Sequence, residues 1–173
     1  MERKERKYIR LINYDYSSNG LYFITVCTKD RVHYFSDIIE DPEFVGADII
    51  RPIVTLTKIG ELLEFSINDV KNHYDNVDVV KYCIMPDHVH LIISIMNDVM
   101  SSDGGRMISA PTVSTIIGSL KRFVSKTTGI SLWQKSFHDH IIRSEREFLE
   151  ICGYIDNNPI NWVNHIYNQN FWR

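Results

Sequence analysis

At 173 residues, 44% hydrophobic and 24% charged, the chain has the size and composition of one globular domain, expected to span 1–173. No apolar run reaches the ~18 residues of a membrane span. The basic start Met1-Glu2-Arg3-Lys4-Glu5-Arg6-Lys7 leads into no apolar secretion core, so a cytoplasmic protein without a membrane partner is expected.

Three scattered cysteines (Cys27, Cys83, Cys152) make neither a disulfide framework nor a Cys-x-x-Cys metal pair. A net charge of −3 lacks the global positive sign that favours phosphate backbones. Basic residues do gather locally, at Arg6, Lys7 and Arg10 and again at Lys121, Arg122 and Lys126. Each cluster is a candidate phosphate contact or simply a solvated face.

In chain order, the turn-like Ser17-Ser18-Asn19-Gly20 precedes a β-branched and aromatic run over 21–28 that predicts a first strand. The stretch 37–51 is weakly patterned, and 53–56 predicts a short strand. Ile59, Leu62, Leu63, Ile67 and Val70 recur at helical steps, predicting a helix over 58–73 with Thr57 as N-cap. Strands follow over 77–84 and from His88, joined by Met85-Pro86-Asp87, and 96–110 reads as a flexible loop.

Val113, Ile116, Ile117, Leu120 and Phe123 mark a second helix over 111–127, with Gly129 just past it. A strand is expected over 132–142. Ser144 and Glu147 then make a capping box for a final helix whose buried face is assigned to Phe148, Leu149, Ile151 and Ile155. The order β-α-β-β-α-β plus a terminal helix, with a central β-β step too short for a parallel crossover, predicts an α+β, ferredoxin-like antiparallel sheet with helices on one face.

Two stretches could carry chemistry. Side chains alternate along a strand, so His88 and His90 share a face and can reach one cation, while Val89 points away. His138-Asp139-His140 offers a competing pair. Later, Tyr154 and Asn158 are four apart and stack on one face if the helix persists. Alternatively, Asn158-Pro159 starts a new helical segment, and Tyr154 is an ordinary packing aromatic.

Met85-Pro86-Asp87-His88-Val89-His90-Leu91, Trp133-Gln134, Asp139-His140-Ile141-Ile142-Arg143 and Tyr154-Ile155-x-x-Asn158-Pro159-Ile160 together resemble the single-tyrosine HUH transposases, particularly the REP-associated tyrosine transposases of bacteria. Arg6-Lys7-Tyr8-Ile9-Arg10-Leu11 and Tyr22-Phe23-Ile24-Thr25-Val26-Cys27-Thr28 are similar to that family as well. The resemblance implies a ferredoxin-like fold, His88 and His90 as a metal pair with Asn158 as third protein ligand, and Tyr154 as nucleophile. It also implies single-stranded DNA bearing a hairpin as substrate, cut through a 5′-phosphotyrosine and rejoined, by a monomer or a homodimer.

The residue types suit that chemistry. Two neutral imidazoles and an amide oxygen add no negative charge, and Mg²⁺ or Mn²⁺ held there would polarise a phosphodiester. A phenol of pKa ~10 both attacks and leaves. His140 and Asp156 are candidates to support the site, and Arg143, Lys121, Arg122, Arg6, Lys7 and Arg10 to contact DNA. Two other functions fit the same residues: a metal-dependent phosphodiesterase with no covalent intermediate, and a non-catalytic protein that binds nucleic-acid hairpins.

Overall fold

A computed structural model of the chain describes residues 14–40, 52–97 and 111–170. Arg6, Lys7, Arg10 and nearly all of the 96–110 loop lie outside the described residues. The elements are β1 (Gly20–Cys27), β2 (Ser36–Glu40), β3 (Pro52–Leu56), α1 (Lys58–Asn68), α2 (Val70–His73), β4 (Val77–Ile84), β5 (His88–Ile95), α3 (Val113–Thr128), β6 (His138–Ile142), α4 (Glu145–Asp156) and α5 (Asn158–Asn170).

Four strands form a sheet in the order β4-β5-β1-β6, every neighbour antiparallel. This is the split βαβ order expected of a ferredoxin-like fold, with β5 inserted between β1 and β4. Alternation sorts the side chains. Tyr22, Ile24 and Val26 of β1 and Val89, Leu91, Ile93 and Ile95 of β5 are buried with Leu63, Ile67, Val113, Ile116, Ile117, Leu120 and Val124 from α1 and α3. Burying each such side chain contributes about 1.5–3 kcal/mol.

The two crossover helices therefore share one face of the sheet. Helix α4 takes the other, where Phe148, Ile151, Cys152 and Ile155 meet Leu21, Phe23, Cys83, Ile92 and Ile142. With both faces covered, all eight residues of β5 are buried, both histidines included.

Local chemistry accounts for the element ends. Thr57 caps α1 by accepting from the Gly60 N–H, and its own N–H donates to Phe35 O at 2.9 Å. This docking brings the helix so close that a Cβ on Gly60 would lie 1.9 Å from the Phe35 carbonyl oxygen. Thr112 caps α3 and Gly129 ends it at φ +70°. Ser144 caps α4 as expected, accepting from the Glu147 N–H.

Several elements differ from the sequence reading. The helix expected over 58–73 breaks at Asp69 into α1 and α2, where Asp69 accepts a side-chain hydrogen bond from Asn72. The strand expected over 132–142 is only β6 plus a single bridge between Thr28 and Trp133. A two-stranded sheet stands apart from the main one: β3 is the short strand expected over 53–56, and its partner β2 begins the stretch that was weakly patterned. Leu149 is 61% exposed rather than part of the buried face of α4, and Phe123 is 41% exposed on α3. Both lie at the margins of apolar stripes whose centres are filled by Ile155 and Leu120.

Candidate active site

The site grows from the end of β5 next to β1. Cross-strand partners share a face, and the register pairs Cys27 with His88 and Thr25 with His90. Both imidazoles therefore point to the α4 face, and their Nε2 atoms face each other at 3.1 Å. Each ring is fixed from behind. His88 Nδ1 meets Asp87 Oδ1 at 2.5 Å, and His90 Nδ1 meets Thr25 Oγ1 at 2.9 Å.

Asp87 is itself buried and held by its neighbours. Its Oδ2 accepts from Arg31 at 3.3 Å, and its carbonyl oxygen accepts from the Thr28 N–H and hydroxyl at 2.8 and 3.0 Å. Burial alone would raise its carboxyl pKa, but the His88 hydrogen bond and the charges of His88, Arg31 and His33 outweigh it and hold the group below its ordinary range. Burial, then repulsion from His88 and Arg31, pushes the His90 pKa down to about 3, so its ring is neutral at pH 7. A neutral imidazole is the form that ligates a metal.

Two ligand nitrogens about 2.1 Å from one cation, at angles between octahedral and tetrahedral, would be about 3.0–3.4 Å apart. The 3.1 Å separation of the two Nε2 atoms fits that requirement. Among the described residues, no group of three His, Cys, Asp or Glu could hold a metal.

The helices supply what stands opposite. The Tyr154 ring lies edge-on to His90 with centroids 5.2 Å apart, and to Phe23 at 6.0 Å; Phe23 in turn stacks on His90 at 5.4 Å. Tyr154 remains 48% exposed. Helical bonding runs across the α4–α5 junction, from the Asn157 N–H to Gly153 O and from the Asn161 N–H to Asn157 O, each at 3.0 Å. The buried Asn158 thus falls one turn after Tyr154 and one turn before Trp162, whose ring centroid is 6.1 Å from that of His88. Asn158 opens α5 as its first residue, so both readings of Asn158-Pro159 hold in part: a new segment starts, and the i, i+4 face continues through it.

Other sequence candidates sit differently. His138 and His140 pair with Thr25 and Phe23, so they share the sheet face of His90 but lie roughly 10 Å from it, across β1. His140 Nε2 is 2.6 Å from Glu147 Oε1. The Asp156 carboxylate is taken by Lys81 at 2.8 Å. Lys121 donates to Gln134 O at 2.6 Å, and Arg122 is exposed on α3, across the sheet from the histidine pair. Arg143 is exposed, and its backbone N–H donates to Glu147 Oε2 at 2.7 Å. Sequence reasoning assigned no role to Thr25, Arg31, Asp87 or Trp162. Asp87 could have been found from its place directly before His88, whereas the others depend on tertiary register.

A ferredoxin-like sheet thus carries a back-supported histidine pair, faced by a helix-borne tyrosine. The chain belongs to the IS200-like transposase family, whose profile matches residues 16–158. Among its relatives, a Haemophilus influenzae protein without an assigned function is 30% identical over 172 residues, covering 91% of this chain and 89% of the relative. A second Haemophilus influenzae protein, provisionally named a REP-associated tyrosine transposase, is 25% identical over 151 residues, covering 84% and 73%. The solved structure of a REP-associated tyrosine transposase bound to a REP hairpin superposes with a TM-score of 0.57 at 20% identity, over 93% of this chain and 74% of that one, and shares the fold. No helix among the described residues is long and apolar enough to cross a membrane.

Proposed function

We propose that the chain nicks and rejoins single-stranded DNA, with Tyr154 as the nucleophile and His88, His90 and Asn158 as ligands of a divalent cation, Mg²⁺ or Mn²⁺. One observation carries this reading. The Tyr154 ring lies edge-on to His90, whose Nε2 faces that of His88 at 3.1 Å, so the three side chains assigned to the reaction stand side by side.

The bound cation would withdraw charge from a non-bridging phosphate oxygen. The chain's own groups do the rest. Asp87 and Thr25 fix the imidazoles so that both Nε2 lone pairs face inward, and Asn158 offers a neutral amide oxygen. Tyr154 Oη attacks phosphorus in line, the bond from phosphorus to the 3′ oxygen breaks, and that oxygen leaves as a 3′-hydroxyl carrying the proton. The product is a 5′-phosphotyrosine, which conserves the energy of the cut linkage, so a second 3′-hydroxyl can displace Tyr154 without a nucleotide cofactor.

The substrate we propose is a single strand next to a hairpin. The hairpin bound by the structural neighbour supports this, and so does the partly open Tyr154, which a strand lying on the helix surface can reach. The test is incubation of the chain with end-labelled hairpin DNA, with and without Mn²⁺. Metal-dependent nicking that disappears in His88→Ala and His90→Ala is expected. Nicking that survives both substitutions moves the site to His138 and His140. Metal-dependent nicking with no protein–DNA adduct makes water the nucleophile.

A further inference from the structure

Around His88 and Asp87 stand three further side chains that this scheme gives no part in the reaction. The Trp162 ring centroid is 5.4 Å from that of His33 and 6.1 Å from that of His88. His33 is exposed and Trp162 partly so. Arg31 joins them through Asp87 at 3.3 Å, and its side chain remains 57% exposed, with further guanidinium N–H donors beyond the one that Asp87 takes.

The segment bearing Arg31 and His33 is held in an uncommon backbone shape. Asp30 and Arg31 both have φ of 56°, a left-handed conformation that residues with a Cβ seldom adopt. Thr28 pins the turn by donating its hydroxyl to Val32 O at 2.9 Å and to Asp87 O at 3.0 Å. The Tyr34 and Phe35 N–H groups both donate to Pro86 O, at 2.9 and 3.1 Å. The turn is thus built onto the residues that precede His88. Such strain is a recurring property of functional segments.

We infer that Arg31, His33 and Trp162 form a nucleotide subsite that holds one nucleotide of the single strand adjoining the cut. The base stacks on the Trp162 indole with His33 at its edge, and the guanidinium of Arg31 takes the phosphate. An aromatic platform beside a cation is how single strands are gripped with little regard to sequence. A cation alone would suit any phosphate, and an aromatic alone would suit packing. Trp162 in ring contact with His88, and Arg31 in an ion pair with the Asp87 that holds His88, together select a nucleotide. The inference rests on the DNA-processing reading of the site and adds where the strand runs.

The experiment uses the full chain and two fluorescent DNA hairpins, one blunt and one with single-stranded thymidine tails. Trp162→Ala is expected to weaken binding of the tailed hairpin about 5- to 150-fold, the loss of one base–aromatic stack. Trp162→Phe should recover most of that loss. Blunt-hairpin binding and Mn²⁺ affinity, measured by calorimetry, should stay at parent values. Arg31→Gln should flatten the salt dependence of tailed-hairpin binding by about 0.7 in log–log slope. A 2-aminopurine in the tail should be quenched by the parent and not by Trp162→Ala. Parent-like binding of the tails by both variants overturns the subsite, as does an equal loss on blunt and tailed DNA, which makes Trp162 a packing residue. If those results come with a normal covalent adduct, only the subsite falls. A parent chain that neither binds tails nor cuts them overturns subsite and reading together.

Discussion

Replacing Asp87 with Ala should weaken the proposed metal site without dismantling the fold, and the size of each effect follows from its contacts. The carboxylate makes two: to His88 Nδ1 at 2.5 Å, between buried partners, and to Arg31 at 3.3 Å, where the arginine is 57% exposed. Losing a carboxylate that orients a ligating imidazole costs about 10–100-fold in metal affinity, or roughly 1.4–2.8 kcal/mol. Stability should fall by about 1–3 kcal/mol, mainly from leaving the buried Nδ1–H of His88 without an acceptor. The Arg31 arm should add less than ~1 kcal/mol because solvent screens it. The carbonyl of residue 87 keeps the 2.8 and 3.0 Å bonds from Thr28, so the turn should persist. Asp87→Asn retains an acceptor and should lose less on both counts. The assays are Mn²⁺ calorimetry and urea unfolding in EDTA. An Asp87→Ala chain that binds Mn²⁺ as tightly as the parent refutes the orienting role. Equal losses in Ala and Asn would make charge, not ring orientation, the operative property.

Acid should destabilise the metal-free protein through His90. The unfolded chain takes up that proton near 6.5 and the folded one only near 3, so this contribution is complete above pH 6.5 and is lost as pH falls between those values. Thermal unfolding at a series of pH values should show a shallower acid slope in His90→Gln than in the parent; identical slopes would contradict the assignment. On α4, Ile155→Ala should cost about 2–5 kcal/mol, whereas Leu149→Ala, at a residue 61% exposed, should stay within about 0.5 kcal/mol. Chemical denaturation compares the two directly, and equal losses would mean α4 presents a different face to the sheet.

Much of the fold was legible because the periods are clean. The apolar run that follows His88 reads as a buried strand, and the helical steps through Val113, Ile116, Ile117 and Leu120 mark one buried face. What was not legible depends on contacts between distant segments. β2 has Ile39 56% exposed, so no inward period marks it, while its partner β3 is the short strand expected over 53–56. The early end of α1 at Asp69 follows from a local side-chain bond rather than from any lapse in its apolar stripe. At the site, the shared face of His88 and His90 and the four-residue step from Tyr154 to Asn158 follow from spacing alone. That Thr25 supports His90 is a matter of strand register, and that Trp162 reaches His88 is a matter of helix docking. Neither leaves a mark in the order of residues.

If Tyr154 is the nucleophile, the cut strand must end up covalently attached to it. Hairpin DNA labelled on the 3′ side of the cut is incubated with the parent chain and with Tyr154→Phe in Mn²⁺, run on a denaturing gel, and any adduct is digested and mapped by mass spectrometry. The account predicts a label-bearing, detergent-resistant adduct in the parent, with the phosphate on the peptide containing Tyr154. It predicts neither adduct nor nicking in Tyr154→Phe, although that variant keeps the ring, the fold and Mn²⁺ binding. An adduct that persists in Tyr154→Phe, or nicking that proceeds with no adduct in the parent, would contradict it.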